Sequence, residues 1–559
     1  MNTPTATHEV TNQAAPLAGA NLFDGHRALR EALAFHAPGL DLADLRALGA
    51  AVGSAGMQAH ARLANLHQPV LHTHDRQGRR VDEVEFHPSY HALMASVVGH
   101  GLHGTPWAEG PGGHLRRAAG FMLFTEAEPS VMCPVSMSYA VTPALKANAA
   151  LHADWSARVT APVYDARPLP MAAKNGVTLG MGMTEKQGGS DVRSNTTRAE
   201  RDGADAWGER YRITGHKWFF SAPQSDAHLV LAQTAGGLSC FLVPRWLPDW
   251  LGEGARNRVE IQRLKDKLGN HANASSEVEF REALGWRVGD EGRGVPQILA
   301  MGALTRLDCA LGTAGLMRQA LSLAIHHTGQ REAFGKPLAH HPLMKNVLAD
   351  LALESEAATA LALRVARTVD RTEHGQDPSG HEALMRRVLT PVAKFWVCKR
   401  GSHFAQEAME CLGGNGYVEE QGEGVMARIY REMPLNSIWE GAGNIMAIDL
   451  LRALRGGPVA DALAAELAPA RGAHAAFDRL ADGLPARLDG LTEEIEARAL
   501  SRDVALAVQA ALLRQHAPDF VFEAFCDSRL ARGESLGAFG SLGRAAPFDA
   551  LIARANPIQ

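Results

Sequence analysis

The feature that most constrains the fold is a change in hydrophobic periodicity that occurs twice along the chain. Residues from about Asn21 to Asn175 carry apolar side chains at helical spacing. Between Gly176 and about Val288 the pattern becomes short alternating strands that Gly, Pro and Asp interrupt. Helical periodicity returns at Gly292 and continues to the end of the chain. The sequence therefore predicts an α+β, mainly α protein in which a small β-barrel or sandwich lies between two helical regions.

The chain is long enough to contain several such units. A length of 559 residues exceeds what one hydrophobic core normally serves. The first twenty residues are polar and rich in Ala and Thr, without the charged start and apolar run of a secretion signal. We expect a flexible tail over 1–20, an N-terminal helical domain over 21–175, a central β domain over 176–288, a helical bundle over 289–455 and a C-terminal helical extension over 456–559.

The third region is expected to be a bundle of three or four long antiparallel helices. The first helical run extends from Gly292 to Ile325, the second from Met344 to about Arg371, and the third from Glu382 to Leu412. A linker rich in Gly, Pro and Asp separates the second run from the third. The residues after the bundle form Ala- and Leu-rich amphipathic helices that prolines interrupt.

Composition argues against several classes of function. The formal net charge of −5 provides no overall attraction to nucleic acid, and no apolar run is long enough to span a membrane. The six cysteines are scattered without a C-x-x-C pair, which indicates reduced thiols in a cytoplasm. Four histidines lack helical pair spacing and a cysteine partner, so no metal site is predicted at His67, His72, His74 and His87.

The stretch from Gly180 to Glu200 is suited to gripping a polar ligand. It gathers glycines and small hydroxyl residues around Thr184, Gly189 and Ser190. Because glycine has no Cβ, main-chain N–H groups there can approach a ligand closely. The alternative is an ordinary surface loop between two strands.

A strand that ends in three aromatic residues and a hydroxyl follows this loop. Trp218, Phe219 and Phe220 directly precede Ser221. Adjacent aromatic side chains beside a loop rich in Gly and Ser form a platform on which a planar ring can lie. The two stretches together indicate a binding site for a flat cofactor with a polar edge.

These two stretches resemble the flavin-binding segments of the acyl-CoA dehydrogenase family, whose usual forms are T-E-P-x-A-G-S-D and K-x-W-I-T-N. The strings M-T-E-K-Q-G-G-S-D-V and K-W-F-F-S-A are closer still to the AidB-type proteins of the bacterial adaptive response to DNA alkylation. Phe219 stands where the common pattern has Trp, so which aromatic stacks on the flavin stays open. The resemblance implies FAD as the cofactor, with contacts from Met183, Thr184, Gly189, Ser190, Lys217, Trp218, Phe219 and Ser221.

A third signature supplies a candidate base. Glu440 lies between Trp439 and a glycine, just before an apolar helix, and resembles the W/Y-E-G motif that carries the family's catalytic base. A carboxylate removes the α-proton of an acyl thioester only when that proton is acidified and the carboxylate is poorly solvated. The resemblance assigns Glu440 as the catalytic residue and places Trp439 and Asn444 beside the cofactor. The alternative is a Glu in the first turn of a helix that interacts only with the helix dipole.

Two further signatures resemble the family's R-x-x-F-G and Q-x-x-G-G-x-G-Y motifs. They are Q-R-E-A-F-G-K-P-L, which contains Arg331 and Phe334, and E-C-L-G-G-N-G-Y, which contains Gly413 and Gly414. In the family these motifs grip the pyrophosphate and adenosine of the cofactor across a subunit boundary, which implies a homotetramer. The chemistry agrees, because arginine offers a planar fork to phosphate oxygens and glycines allow close backbone approach. Taken singly, each motif has an alternative, a surface ion pair or a helix C-terminal stop.

The chain departs from the family's pattern at three places. Glu410 replaces the usual Gln, and His341-Pro342 stands where Phe-Gln is common. Thr305 replaces the Glu of an E-R pair that precedes the bundle helix, so Arg306 receives no substrate role. A carboxylate at position 410 repels a diphosphate unless it turns away or pairs with a cation.

The sequence thus supports an FAD-containing acyl-CoA dehydrogenase-like oxidoreductase of the AidB type. Its expected chemistry is α-proton abstraction from an acyl-CoA or similar thioester with β-hydride transfer to flavin, and its expected role is in the response to alkylation damage. The alternatives are a metabolic short- or branched-chain acyl-CoA dehydrogenase, isovaleryl-like and without a DNA role, and an acyl-CoA oxidase. The acyl chain and the electron acceptor stay open.

The same resemblance makes double-stranded DNA a candidate partner of the C-terminal helices. From Asp449 onward the sequence contains twelve Arg, no Lys and fifteen Asp or Glu, so this region is not basic on balance. Binding duplex phosphates requires a local cluster of cations. Only a folded face that collects Arg452, Arg455 and neighbouring arginines could supply one, and these two are the candidate DNA-binding residues.

Overall fold

The N-terminal part of the chain is helical apart from one hairpin. The computed structural model describes residues 7–252, 254–422, 424–455, 457–490, 493–531 and 537–558. Helix α6 is buried almost throughout because it is apolar on every side. The elements are α1 (Arg27–His36), α2 (Ala43–Gly53), α3 (Ala55–Leu66), β1 (Val70–His74), β2 (Arg80–Glu85), α4 (Pro88–Gly99), α5 (Gly113–Thr125), α6 (Met132–Leu145) and α7 (Ala149–Thr160).

The segment just before α1 is packed onto the helices. The Gly19 amide donates to the Gly53 carbonyl at 2.8 Å, and Gln58 Nε2 donates to the Leu17 carbonyl at 3.0 Å. A Cβ on Gly53 would lie 1.8 Å from the Ala20 carbonyl oxygen, so the two backbones are in direct contact. The expectation of a flexible tail over 1–20 therefore does not hold for the later part of that segment, and residues 1–6 lie outside the described residues.

The central strands close into a small barrel. Around the ring β6 pairs with β4, β4 with β5, β5 with β9, β9 with β7, and β7 again with β6. Strand β3 extends the sheet beside β6, and β8 pairs with β9. The strands are β3 (Leu179–Gly182), β4 (Arg198–Asp205), β5 (Gly208–Ser221), β6 (Ala227–Thr234), β7 (Gly237–Pro244), β8 (Val259–Leu264) and β9 (Ser275–Val288).

The barrel has its own hydrophobic core. Alternate residues of β5, such as Tyr211 and Ile213, point inward and meet Phe241 and Phe280 from the facing strands. Most of β6 is buried because its second face packs against the helices. Of the two sequence predictions for this region, a barrel or a sandwich, the closed ring selects the barrel.

Three long helices form the bundle, as the periodicity predicts. They pack against one another. Pro342 begins α9, where a missing N–H costs nothing, which accounts for one departure from the family pattern. The elements are α8 (Gly294–Gln330), β10 (Glu332–Ala333), β11 (Lys336–Pro337), α9 (Pro342–Glu373), α10 (His381–Glu410), α11 (Gly414–Tyr417), α12 (Val425–Glu432) and α13 (Gly443–Leu454).

The C-terminal helices wrap the bundle. A buried ion cluster joins them to it, because Arg529 donates to the carboxylates of Asp350 and Glu354, and Glu354 also accepts from Arg400. The elements are α14 (Val459–Leu467), α15 (Ala475–Gly490), α16 (Ala497–His516), α17 (Asp519–Phe525), a π-helical turn (Cys526–Ala531) and α18 (Phe548–Ala555).

The three parts meet around α8. This helix packs on α5 and α6 of the N-terminal part and on β7 of the barrel. A buried ion pair fixes the first of these contacts, with Arg117 Nη2 2.8 Å from Asp308 Oδ2. Within the described parts of the chain, none of the helices has the length and apolar character needed to cross a membrane. The predicted α+β, mainly α class is confirmed.

Candidate functional site

The carboxylate of Glu440 is held by two neighbouring residues of α8. Thr305 Oγ1 donates to Glu440 Oε2 at 2.7 Å, and Arg306 Nε donates to the Glu440 main-chain oxygen at 2.9 Å. Arg306 is itself fixed by Asp449, whose Oδ2 lies 2.9 Å from its Nη1. Side chain and backbone of Glu440 are therefore both oriented by groups 134 and 135 residues away in sequence.

The backbone of Glu440 has an unusual conformation that its surroundings maintain. Its φ is 59°, in the left-handed region that non-glycine residues seldom occupy. Lys394 Nζ donates to the carbonyl oxygens on both sides, that of Trp439 at 2.7 Å and that of Gly441. Trp439 Nε1 donates in turn to Asn436 Oδ1 at 3.0 Å. A strained residue that its neighbours hold in this way marks a functional position.

The pKa of Glu440 is raised above its usual range. Burial is the largest cause, because desolvation disfavours the charged carboxylate. The hydrogen bond from Thr305 and the charges of Arg306 and Lys394 act in the opposite direction. The side chain keeps some exposure, so it can meet a bound molecule while remaining poorly solvated.

Sequence reasoning missed the residues that build this loop. Thr305 and Arg306 were noticed as an altered E-R pair but received no role. Nothing in the sequence indicates a role for Lys394 in the site, because a lysine in the middle of a helix is normally a surface residue. Its burial, 1% exposed, is visible only in the folded chain.

The Gly-rich loop is tied to the aromatic strand by a buried ion pair. Lys217 Nζ donates to Glu185 Oε1 at 2.7 Å and to the Leu231 carbonyl at 2.9 Å. Both side chains are fully buried. Burial lowers the pKa of Lys217 to about 8, and the pKa of Glu185 is lowered to about 2 because Lys217 and further hydrogen bonds outweigh its own desolvation.

This pair changes the expectation for Lys217, which the resemblance placed at the cofactor. Its ammonium lies inside the barrel and is already engaged with Glu185, so it supports the loop from beneath. The Trp218 amide donates to the Thr184 carbonyl at 2.8 Å and joins the two segments at the surface. Met183 and Thr184 are partly exposed there, and Gly189 and Ser190 are exposed.

The three aromatics of β5 have three different surroundings. Phe220 is buried and stacks on His228, with ring centroids 4.0 Å apart. Trp218 is partly exposed, and Lys265 Nζ lies 3.4 Å from the centre of its ring. Phe219 is 54% exposed. Lys265 Nζ also lies 4.8 Å from the centre of the Phe219 ring. Phe219 nevertheless presents the most open aromatic surface, because Phe220 is buried and Trp218 only partly exposed.

Cys133 of α6 connects the end of the aromatic strand with the base. The electrostatic surroundings of its thiol include the Ser221 and Asn273 side chains and the charge of Glu440. Burial raises the pKa of the Cys133 thiol to about 12, so it remains protonated at neutral pH. The fold thus brings Ser221, predicted at the flavin, into the neighbourhood of the predicted base.

The remaining cofactor signatures lie on open surface. Phe334, with φ 51°, is 97% exposed, and Arg331 is partly exposed. Gly413 and Gly414 are exposed, and an added Cβ would meet nothing within 4 Å at either one. Glu410 accepts a long hydrogen bond of 3.4 Å from Gln406 Nε2 on its own helix.

The remaining predicted site residues, Asn444, Arg452 and Arg455, are exposed on the surface of the protein. Asn444 is exposed, and its Oδ1 accepts from Arg498 Nη1 of α16 at 2.7 Å. Arg452 and Arg455 are exposed near the end of α13. Among the described residues, no group of three or more His, Cys, Asp or Glu side chains is arranged to hold a metal ion.

Comparison with known proteins agrees with this geometry. The model of the adaptive response protein AidB N-terminal domain matches residues 12–166, that of the acyl-CoA dehydrogenase middle domain matches 180–283, and that of the acyl-CoA dehydrogenase C-terminal domain matches 292–455. AidB of Escherichia coli (strain K12) is 47% identical over 530 residues, 94% of each chain. The chain belongs to the acyl-CoA dehydrogenase family. Its N-terminal match and this relative place it in the AidB group of that family.

Further relatives of the family share the fold over most of the chain. Acyl-CoA dehydrogenase family member 11 of Caenorhabditis elegans is 31% identical over 428 residues, which are 74% of this chain and 67% of that relative. The structure titled Bd2924 apo-form has a TM-score of 0.82 at 29% identity and covers 90% of this chain and 99% of that one. C. elegans ACDH-11 in complex with C11-CoA has a TM-score of 0.78 at 25% identity and covers 100% and 96%.

As a member of this family, the chain is an FAD-dependent acyl-CoA dehydrogenase-type oxidoreductase. Its own residues fit that cofactor. The loop folds so tightly that a Cβ on Gly189 would lie 2.3 Å from Thr184 Oγ1, which leaves main-chain groups accessible at the surface. The exposed ring of Phe219 lies on the strand that this loop joins, and a flat ring system can cover it.

Proposed function

We propose that the protein oxidises an acyl-CoA thioester between Cα and Cβ, with Glu440 as the base. The observation that carries this proposal is a poorly solvated carboxylate with a raised pKa, oriented by Thr305, on a residue that as a whole keeps some exposure. A general base works best when its pKa lies near the working pH, and burial moves a carboxylate in that direction. The alternative of a merely dipole-stabilised Glu does not account for the left-handed backbone.

The residues around Glu440 have separate roles in proton abstraction. Glu440 Oε1 is free to take the α-proton because Thr305 occupies Oε2. Arg306 and Lys394 hold the backbone, so the carboxylate keeps its position as its charge disappears. Bound FAD supplies the acceptor for the hydride that leaves Cβ. Exclusion of water by the surrounding helices keeps the removed proton on Glu440.

We assign the flavin ring to the surface that carries Phe219. Its 54% exposure, against the buried Phe220 and the partly exposed Trp218, favours Phe219 as the stacking aromatic. We place Ser221 on the base side, because Ser221 and Glu440 both contribute to the electrostatic surroundings of Cys133. Lys217 holds the loop beneath this surface through its ion pair with Glu185. The proposed contacts to the flavin are Met183, Thr184, Gly189, Ser190, Phe219 and Ser221.

The test is an anaerobic spectral titration of the holoprotein with a panel of acyl-CoAs. The panel contains short, branched and medium chains, including the C11-CoA that accompanies C. elegans ACDH-11. We expect loss of flavin absorbance with at least one member. A protein whose flavin stays oxidised with every member does not perform this reaction. Reoxidation of the reduced protein by oxygen then distinguishes a dehydrogenase from an oxidase.

We also propose that the chain assembles into a homotetramer in a cytoplasm. Support comes from Phe334 at 97%, Leu343 at 83% and Tyr417 at 78% exposure, because large apolar side chains this exposed normally mark an interface. All six cysteines are free thiols, which suits a reducing compartment. Light scattering of the purified protein measures the assembly, and a monomer contradicts it.

Double-stranded DNA binding is a second proposal, carried by the end of α13. Arg452 and Arg455 are exposed there, and α13 packs on α16, whose Arg498 and Arg502 also lie on the surface side. These four arginines on adjoining helices are the candidate cations for phosphate contacts despite the net charge of −5, and two of them already have partners, Arg498 in Asn444 and Arg502 in Asp503. This is the feature that links the protein to a role in the alkylation response.

A duplex titration at two salt concentrations tests the DNA proposal. We expect affinity to fall as salt rises, because phosphate contacts release counterions. Arg452→Gln with Arg455→Gln should weaken binding and flatten the salt dependence, whereas Arg479→Gln with Arg544→Gln serves as a matched charge control in the same region. An equal loss of affinity in the two double variants contradicts a specific DNA-binding face at the end of α13.

A further inference from the structure

The segment just before α1 returns to the end of α8, where the predicted pyrophosphate-binding arginine lies. Arg331 Nη1 donates to the Asn12 carbonyl oxygen. The Asn12 side chain bridges the next residue, because its Oδ1 accepts from the Glu332 amide at 2.7 Å and its Nδ2 donates to the Glu332 carbonyl at 2.9 Å. Three hydrogen bonds therefore join one residue of this segment to Arg331 and Glu332.

The following residues extend the contact. The Ala15 amide donates to Gln330 Oε1 at 2.9 Å, and the Ala15 carbonyl lies 2.7 Å from His326 Nε2. Residues 12–15 thus lie along the last turn of α8 and the residue after it. We call residues 12–20 the strap, since its other end is pinned to α2 and α3 by the contacts of Gly19 and Leu17.

The local conformation of Asn12 suits this role. Its φ is 54°, in the left-handed region, which Asn tolerates better than other residues that carry a Cβ. Its side-chain amide presents an NH2 group that donates and an oxygen that accepts, which is what the C=O and N–H of Glu332 require. Asn12 is an exposed residue, so this fit does not result from core packing.

The contact uses only part of the guanidinium of Arg331. An arginine has five N–H donors in a fixed plane. The Asn12 carbonyl accepts from Nη1 and restrains the plane, while the side chain remains partly exposed for a further acceptor. A free arginine loses rotamer freedom when it binds phosphate, and a restrained one has lost much of it beforehand.

We propose that the strap positions Arg331 for the diphosphate of FAD and that Asn12 is its positioning residue. The inference rests on the proposed function, in which Arg331 meets that diphosphate. The strap lies within the N-terminal match to the AidB group, residues 12–166, and outside the two acyl-CoA dehydrogenase domain matches. It is therefore an addition that the N-terminal region makes to a site built by the bundle.

The test measures the rate of FAD release from the diluted holoprotein by the rise of flavin fluorescence, with light scattering to follow assembly. Asn12→Pro excludes the left-handed φ and removes the side-chain bridge, and we expect release about tenfold faster. Gln13→Ala is the matched control, because Gln13 is exposed and its side chain donates to the Thr11 carbonyl of its own segment. It should release FAD at the unmodified rate.

A double-mutant cycle with Arg331→Leu distinguishes a failure of the strap's role from a failure of the proposed role of Arg331 as a diphosphate ligand. If Asn12 acts through Arg331, Asn12→Pro adds nothing to Arg331→Leu. Additive effects, or an unchanged rate in Asn12→Pro while Arg331→Leu is fast, overturn the role of the strap and leave Arg331 as a phosphate ligand. An unchanged rate in Arg331→Leu removes the assignment of Arg331 itself. Slower release in Asn12→Pro shows that the carbonyl competes with the diphosphate and also overturns the inference.

Discussion

The two ends of the cofactor site differ in how complete they are within one chain. At the base end, Glu440 is held by Thr305, Arg306 and Lys394, and all of these contacts lie within a single chain. At the diphosphate end, Phe334 is 97% exposed and Gly413 borders open space. Folding completes the first region within one chain, whereas the second is an open surface, which a further copy of the chain would cover in the tetramer that we propose.

This difference determines whether the contacts at each end depend on protein concentration. Contacts made within a chain act at any protein concentration, because folding alone forms them. Contacts across an interface depend on assembly and weaken on dilution. The chemistry of the base should therefore respond to changes near Glu440, and the retention of FAD should respond to changes near Phe334.

The largest effect is expected at the base. Glu440→Gln preserves shape and removes the proton acceptor, so reduction of the flavin by acyl-CoA should slow by about a thousandfold. FAD should remain bound, since the carboxylate is assigned to the substrate. Rapid-mixing absorbance measures the rate, and Glu523→Gln, which removes an exposed carboxylate of α17, is the control. A rate within a few-fold of the unmodified protein removes Glu440 from the mechanism.

The buried pair beneath the loop tests whether that part of the site is also complete within one chain. Lys217→Met leaves Glu185 charged and unpaired in the barrel, which should reduce the free energy of unfolding by about 3–5 kcal/mol. Chemical denaturation measures it at two protein concentrations, and the loss should be equal at both. Glu185→Gln combined with Lys217→Met should recover most of the loss.

A surface ion pair provides the matched control for that measurement. Lys345 Nζ lies 2.7 Å from Asp549 Oδ1, and the Asp549 side chain is 81% exposed. Lys345→Met should therefore cost less than about 1 kcal/mol. Comparable losses at the buried and the exposed pair contradict the role given to burial.

The open end of the site is tested through Phe334. Phe334→Asp places a charge where the proposed interface buries an apolar ring, so the assembly should dissociate and FAD should be held about tenfold less tightly. Light scattering and flavin fluorescence measure the two effects. Leu66→Asp is the control, because Leu66 is 46% exposed on a different surface. An intact assembly with unchanged FAD retention removes Phe334 from the interface.

The smallest effect is expected from the residue that orients the base. The Thr305 hydrogen bond lowers the pKa of Glu440 against the effect of burial, so Thr305→Val should raise that pKa further. Because the base works when deprotonated, activity rises with pH through this pKa, and the rising limb should move to higher pH. The rate at pH 7 should fall by about tenfold. Thr305→Ser should retain the original profile, and an unmoved limb contradicts the orientation by Thr305.

The sequence predicted the chain order of helices and strands well because hydrophobic periodicity is a local property. The helical run predicted from Met344 to Arg371 corresponds to α9, which begins at Pro342 and ends at Glu373. The tail was expected to be flexible because its composition is polar, and composition does not report that Asn12 meets Glu332, 320 residues away.

By itself the sequence determined which residue types are available, their order, and the motifs through which the family is recognised, including Glu440 and the Gly-rich loop. Only the tertiary structure decided that Lys217 supports the loop from inside the barrel, that Thr305 and Lys394 hold the base, and that the strap reaches Arg331. The physical reason is that a motif is read along the chain, whereas burial and hydrogen bonding depend on groups that folding brings together from 32 to 319 residues away.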